Sequence, residues 1–216
     1  MSWTSDKKFW YNPFDYLAGG KALLIGLGLM VLASLAGTLT HVWFPGALDL
    51  KLDYAGSYWI HLGTSVMSWL VVLAVLYPLA LGLTSSKIRL VDMAGTLALA
   101  RAPQLLAALT GTGAIVSKAM NNLLYTLTRD SGQAIPPQLL GTLTPVDLKG
   151  WEWFLAFNLM ALQLLTIIWM VALMYNAYRI SANLKGNRAG ISFVIGLLIA
   201  EALSVFLVFR FILPML

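Results

Sequence analysis

The fold that the sequence predicts is all-α: a polytopic membrane protein, a bundle of five transmembrane helices whose third member is kinked or broken. Three observations predict it. Of the 216 residues, 59% are hydrophobic and 11% charged, and the mean hydropathy is +0.79, against roughly 45–50% apolar and about 25% charged in ordinary globular domains. The apolar residues gather in five runs bounded by charged or turn residues, each near the roughly 20 residues a helix needs to cross about 30 Å of hydrocarbon. Lys and Arg concentrate on alternate connections, as the positive-inside rule requires. Residues 1–216 therefore read as a single membrane domain.

The first run covers 22–44, after Lys21 and before the breaker Pro45-Gly46. The second covers 58–83 and stops before Thr84-Ser85-Ser86-Lys87; the third covers 91–115, the fourth 151–178 and the fifth 191–213. Lys7, Lys8, Lys21, Lys87, Arg89, Arg179, Lys185 and Arg188 fall on one side of these spans, eight in all, against Lys51, Lys118, Arg129 and Lys149, four, on the other. The larger group places the N-terminus in the cytoplasm and the C-terminus outside. A cleaved signal peptide is the competing reading of span one, but about 20 residues precede it, and they carry Trp3, Phe9, Trp10, Tyr11, Phe14 and Tyr16. Those aromatics suit a short element lying on the membrane surface.

The outer loops come next. His41, Asp49, Asp53 and His61 flank or occupy the first of them and could ligate a divalent metal, although their spacing matches no compact motif. The plainer reading makes both histidines polar residues of the outer interface. In the long loop 116–150, Val116, Met120, Leu123, Leu124 and Leu127 recur at i, i+4, i+7, i+8 and i+11, the pattern of a helix lying in the interface. A third span that simply continues past the bilayer fits the same residues. Trp151 and Trp153 mark the return to the membrane.

The chain has no cysteine, so thiol chemistry and disulfides are excluded. It carries no phosphate-cradling loop, dinucleotide glycine pattern, zinc-protease helix or nucleophile elbow. No enzyme activity and no cofactor are expected. Its net charge of +5 is scattered over short loops with no dense basic face for nucleic acid. Asp15, Asp92 and Asp147 near the starts of apolar runs read as helix caps.

Two ionisable residues lie deep inside runs, Arg101 and Glu201, while Arg210 is close enough to an end to snorkel. Each lies ten residues into an outward-running span, roughly 15 Å deep at about 1.5 Å per residue. At equal depth on parallel helices, they are expected to pair, because either alone is an uncompensated charge in hydrocarbon. Pro103 should break the helix beside them, freeing the carbonyl of Leu99 and pushing Ala102 from helical angles. Arg101, Pro103 and Glu201 thus form a predicted intramembrane polar centre, either structural or lining a pathway. Ala22, Gly26, Ala33 and Gly37 offer span one a small-residue face for close packing.

Three stretches, NPFDYLAGGKALLIG (12–26), SKIRLVDMAGTLALARAPQLL (86–106) and YRISANLKGNRAGISFVIGLLIAEALS (178–204), together resemble the Yip family of five-span membrane proteins named for interaction with Ypt and Rab GTPases, in particular its short prokaryotic members. The resemblance implies five helices in a bacterial cytoplasmic membrane, a cytoplasmic N-terminus and a non-enzymatic role in membrane organisation or trafficking. Its implied partners are the lipid bilayer, other membrane proteins or a second copy of the chain. A Rab-type GTPase is not expected among them, because only about 20 residues precede span one. The alternative is a small transporter, channel or lipid-handling protein that uses Arg101 and Glu201.

Overall fold

The structure is a computed structural model that describes residues 12–51, 54–110, 113–130 and 147–212. Its helices are α1 (Gly19–Thr40), α2 (Tyr58–Leu83), α3 (Leu90–Leu99), α4 (Pro103–Leu109), α5 (Gly113–Asp130), α6 (Gly150–Ser181) and α7 (Gly186–Leu207), the last running on into a π-helical turn, Val208–Ile212. Among the described residues the only β pairing is one isolated bridge between Trp43 and Lys51. α1, α2, α6 and α7 with its π turn are long and apolar enough to cross a bilayer. Their outer faces carry large apolar side chains, including Leu24, Leu39, Phe154, Phe157 and Leu198. Their buried faces instead hold Ala22, Gly26, Ala33, Ala177, Gly196 and Ala200. Lipid covers such a surface at little cost, and small inward residues let helices approach. The protein is a membrane-embedded, all-α, polytopic bundle.

The expected third span, 91–115, is not one helix. It is broken, as expected, into α3 and α4, separated by the turn Ala100-Arg101-Ala102, so among the described residues four helices have spanning length by themselves. The reason is Pro103, which has no N–H to donate to Leu99 and becomes the first residue of α4, where a missing donor costs nothing. Ala102 nevertheless keeps helical angles (φ −49, ψ −38), contrary to the steric expectation. The Leu99 carbonyl accepts the N–H of Ala102 at 3.0 Å, so a tight turn of the backbone satisfies it without Arg101.

α3 is the most enclosed element: every residue from Met93 to Leu99 is buried. It packs on α1 and α6, and α4 packs on the same two helices. α1 and α3 meet backbone to backbone. A Cβ on Gly26 would stand 2.5 Å from the carbonyl carbon of Ala98, and one on Gly95 would meet the carbonyl oxygen of Gly19. Ala22 and Ala33 complete the small-residue face, while Gly37 faces Val42 in the chain just beyond the helix.

Several finer expectations change. Phe14 is buried at the base of the bundle, not laid on the membrane surface, and Trp3, Phe9, Trp10 and Tyr11 lie outside the described residues. None of the three aspartates is an N-cap: Arg89 caps α3, with Asp92 in its first turn. Lys149 caps α6, where Glu152 accepts its backbone N–H at 2.7 Å. The interfacial pattern does form a helix of its own, α5, which packs on α6. Val116 and Ala119 are buried, and Met120, Leu123, Leu124 and Leu127 are left exposed on its outer side.

Gly26→Val should lower detergent stability by about 1–3 kcal/mol through overpacking, whereas Gly28→Val, where a Cβ meets open space, should change it little. Thermal melting followed by size-exclusion chromatography reads both; equal melting of the two variants would refute the close α1–α3 approach.

Candidate functional site: a buried polar centre

The connection after α1 does not stay outside the bundle. His41 ends α1 in the left-handed conformation (φ 60), and the Val42 N–H then returns to the Gly37 carbonyl at 2.9 Å. Trp43 and Lys51 exchange two backbone hydrogen bonds of 2.8 Å each, closing the intervening residues into a loop. Residues 42–47 of that loop are all buried. Non-helical backbone at such depth has no water to bond, so each buried N–H and C=O needs a partner from the protein.

The polar centre supplies partners for residues 46–48. Arg101, 2% exposed, donates from Nη2 to the Gly46 carbonyl at 3.3 Å, from Nη1 to the Ser65 carbonyl of α2 at 3.3 Å, and from Nε to Gln104 Oε1 at 3.1 Å. From α7, Glu201 Oε2 accepts the Leu48 N–H at 2.8 Å and Ser204 Oγ accepts the Ala47 N–H at 3.2 Å. Three consecutive residues of one loop are thus held by a cation on one side and by a carboxylate and hydroxyl on the other. A Cβ at Gly46 would lie 2.8 Å from Glu201 Oε1 and 2.9 Å from Asp49 Cβ, so a larger residue there would have to displace the carboxylate that holds Leu48.

Arg101 and Glu201 do converge, on residues 46–48 of the first connection. They do not form the direct ion pair that their depth suggests: among the described residues the side-chain ion pair is Arg89–Asp92 at 3.8 Å. The Glu201 charge acts on the guanidinium through space, with the 46–48 backbone bonded to both. The physical reason is that the loop, invisible to span counting, occupies the gap and offers a carbonyl to the cation and an N–H to the anion. Pro103 enters differently. It sets the break that lets Arg101 leave the helical ladder, and it lines a cavity of ≈ 10 Å³ with Phe44, Leu50, Gln104, Thr166 and Met170, room for about one water. Gln104 Nε2 is buried with no protein partner.

Sequence reasoning missed Gly46, Ala47, Leu48, Ser65, Gln104 and Ser204. Only Gln104 and Ser204 left a signal, each three residues after its charged partner on the same helical face. The metal reading gains no support. His41 is exposed at the helix end while His61 is 3% exposed, against Gly37 and 5.6 Å from the Tyr54 ring. No group of three or more His, Asp or Glu suited to a metal exists among the described residues, and Asp53 lies outside them. His61 is accordingly a buried residue, not the outer-interface one expected. Around it Trp43 stacks on Tyr54 at 4.2 Å and donates from Nε1 to Thr64 Oγ1 at 2.9 Å. Lys51 Nζ stands 5.6 Å from the Trp43 ring and 5.5 Å from Phe209, tying the loop to the end of α7.

Comparison of the chain with family models, with curated proteins and with solved structures found no match.

Arg101→Leu should destabilise by about 3–5 kcal/mol, the range for stripping one partner from a buried charge. Glu201→Gln, which keeps an oxygen for Leu48, should cost only about 1–2 kcal/mol. The exchange Arg101→Glu with Glu201→Arg should not rescue folding, because the Gly46 carbonyl and Leu48 N–H cannot exchange with it. Recovery of a monodisperse, thermally stable double variant would establish a direct pair instead.

Proposed function

We propose that this protein is a non-enzymatic integral membrane scaffold, a membrane-organisation factor of the Yip type, residing in a bacterial cytoplasmic membrane with its N-terminus inside. The observation that supports this reading is how the intramembrane charges are used. Arg101 spends three donors on Gln104 and two backbone carbonyls, and Glu201 accepts a backbone N–H. Both therefore bind the protein to itself. The space beside them, ≈ 10 Å³, suits a single water and is far below the roughly 300 Å³ at which small-molecule sites begin. What remains for function is the outer surface, whose partners are lipid, other membrane proteins or a second copy. A small transporter is the competing reading, since broken helices at mid-depth are also a feature of transport sites.

The chain has no cysteine, so single thiols report directly on the centre. Ser65→Cys and Ser204→Cys, conservative changes at residues buried to 2% and 0%, should resist a small aqueous maleimide in intact membranes, while Lys149→Cys, outside the spans, reacts. Rapid labelling at both 65 and 204 would overturn the scaffold reading in favour of a wet pathway. Crosslinking and affinity purification from mild detergent should recover a stable protein partner or a second copy.

A further inference from the structure

The end of the bundle where α6 turns into α7 has a use that the polar centre does not explain. α6 has 32 residues, and at about 1.5 Å per residue it exceeds the roughly 30 Å hydrocarbon core, so its last turn stands at headgroup level. That turn carries Arg179, half-buried along the Tyr175 ring at 5.8 Å. Arg179, Asn183, Lys185 and Gly186 line a pocket of ≈ 380 Å³. From 176 to 200 the chain holds Arg179, Lys185 and Arg188 and no Asp or Glu.

Neighbouring elements add to the same sign of charge. Asn183 Nδ2 donates to Ser86 Oγ at 3.2 Å, and Thr96 Oγ1 lies 2.8 Å from Ser181 Oγ, which brings the connection bearing Lys87 and Arg89 alongside. Among the described residues the basic residues of this end are Lys21, Lys87, Arg89, Arg179, Lys185 and Arg188, and its carboxylates are Asp15 and Asp92, of which Asp92 pairs with Arg89. Further along the chain, one face of α7 forms a separate, shallow apolar groove of ≈ 490 Å³, lined by Asn187, Gly190, Ile191, Val194 and Ile195. At Gly190 a Cβ would meet nothing within 4 Å.

We propose that this pocket and groove bind one anionic phospholipid, its phosphate held by Arg179 and Lys185 with Arg188 nearby, and one acyl chain lying along Gly190, Ile191 and Val194. Charge complementarity selects the headgroup, since a basic pocket between helices at the membrane surface favours anionic lipid. The groove selects a lipid over a free phosphate, which has no apolar part to place there. The N-cap of α7, Lys185, offers no side-chain acceptor to the first-turn N–H groups, leaving them open to the same phosphate.

The full chain in nanodiscs, with the bound lipid shell analysed by native mass spectrometry, tests this. Phosphatidylglycerol should be retained over phosphatidylcholine, and each cation removed from the set Arg179→Ala, Lys185→Ala and Arg188→Ala should lower its retention about fivefold. Lys118→Ala with Lys149→Ala, which removes cations elsewhere, should leave retention unchanged. Gly190→Phe fills the groove without touching the charges and should also lower it. Wild-type retention in the triple variant, or equal loss in the Lys118/Lys149 control, overturns the site. Unchanged retention in Gly190→Phe, or full displacement of the lipid by millimolar inorganic phosphate, overturns the lipid as its occupant.

Discussion

A stretch of non-helical backbone buried where water cannot reach it is the constraint on which this bundle depends. Residues 42–47 lie inside the protein, and a peptide group left unbonded there would cost several kcal/mol. The Arg101–Gly46, Ser204–Ala47 and Glu201–Leu48 bonds remove that cost. They also join α7, the first connection and the α3–α4 break into one network, and Arg101 extends it to α2 through Ser65. The charges in turn need the loop, since each would otherwise be stranded. Loop and charges are therefore a mutual requirement, in which neither is tolerable without the other.

Close packing makes that network geometrically possible. The backbone contact at Gly26 brings α1 against Ala98 and Leu99, immediately before the turn that carries Arg101. With α1 held there, its C-terminal turn and the loop that follows are aimed at the centre of the bundle. The break before Pro103 then matters twice. It gives Arg101 a position between two helices, and it begins α4 so that Gln104 sits one turn away, in reach of Nε. Outside this centre the forces are different: large apolar side chains meet lipid, and basic residues collect where the helices emerge from it.

This division of labour bears on function. A charged centre in a membrane protein is ordinarily the first suspect for transport or catalysis, but here its hydrogen bonds are directed at the protein's own chain. On the proposed scaffold reading, the functional surface shifts outward, to faces that lipids and other membrane proteins would meet, and to the basic end formed by the α6–α7 turn and the connection before α3.

Much of the architecture was legible in the sequence because hydrocarbon imposes a one-dimensional rule: long apolar runs must be helices that satisfy their own backbone. The run at 58–83 corresponds to α2 residue for residue, and the small-residue face of α1 and the break at Pro103 followed from side-chain size and a missing N–H. The convergence of Arg101 and Glu201 was likewise suggested by counting residues, and both bond the same short loop. What only the tertiary structure decided was what stands between them. Pro45, Gly46, Ala47 and Leu48 look like an ordinary outer connection, because nothing in a residue's type records whether its backbone is wet or buried. The partners of that backbone are carbonyls and N–H groups common to nearly every residue, so their pairing with Arg101, Ser204 and Glu201 depends on how helices distant in the chain are packed.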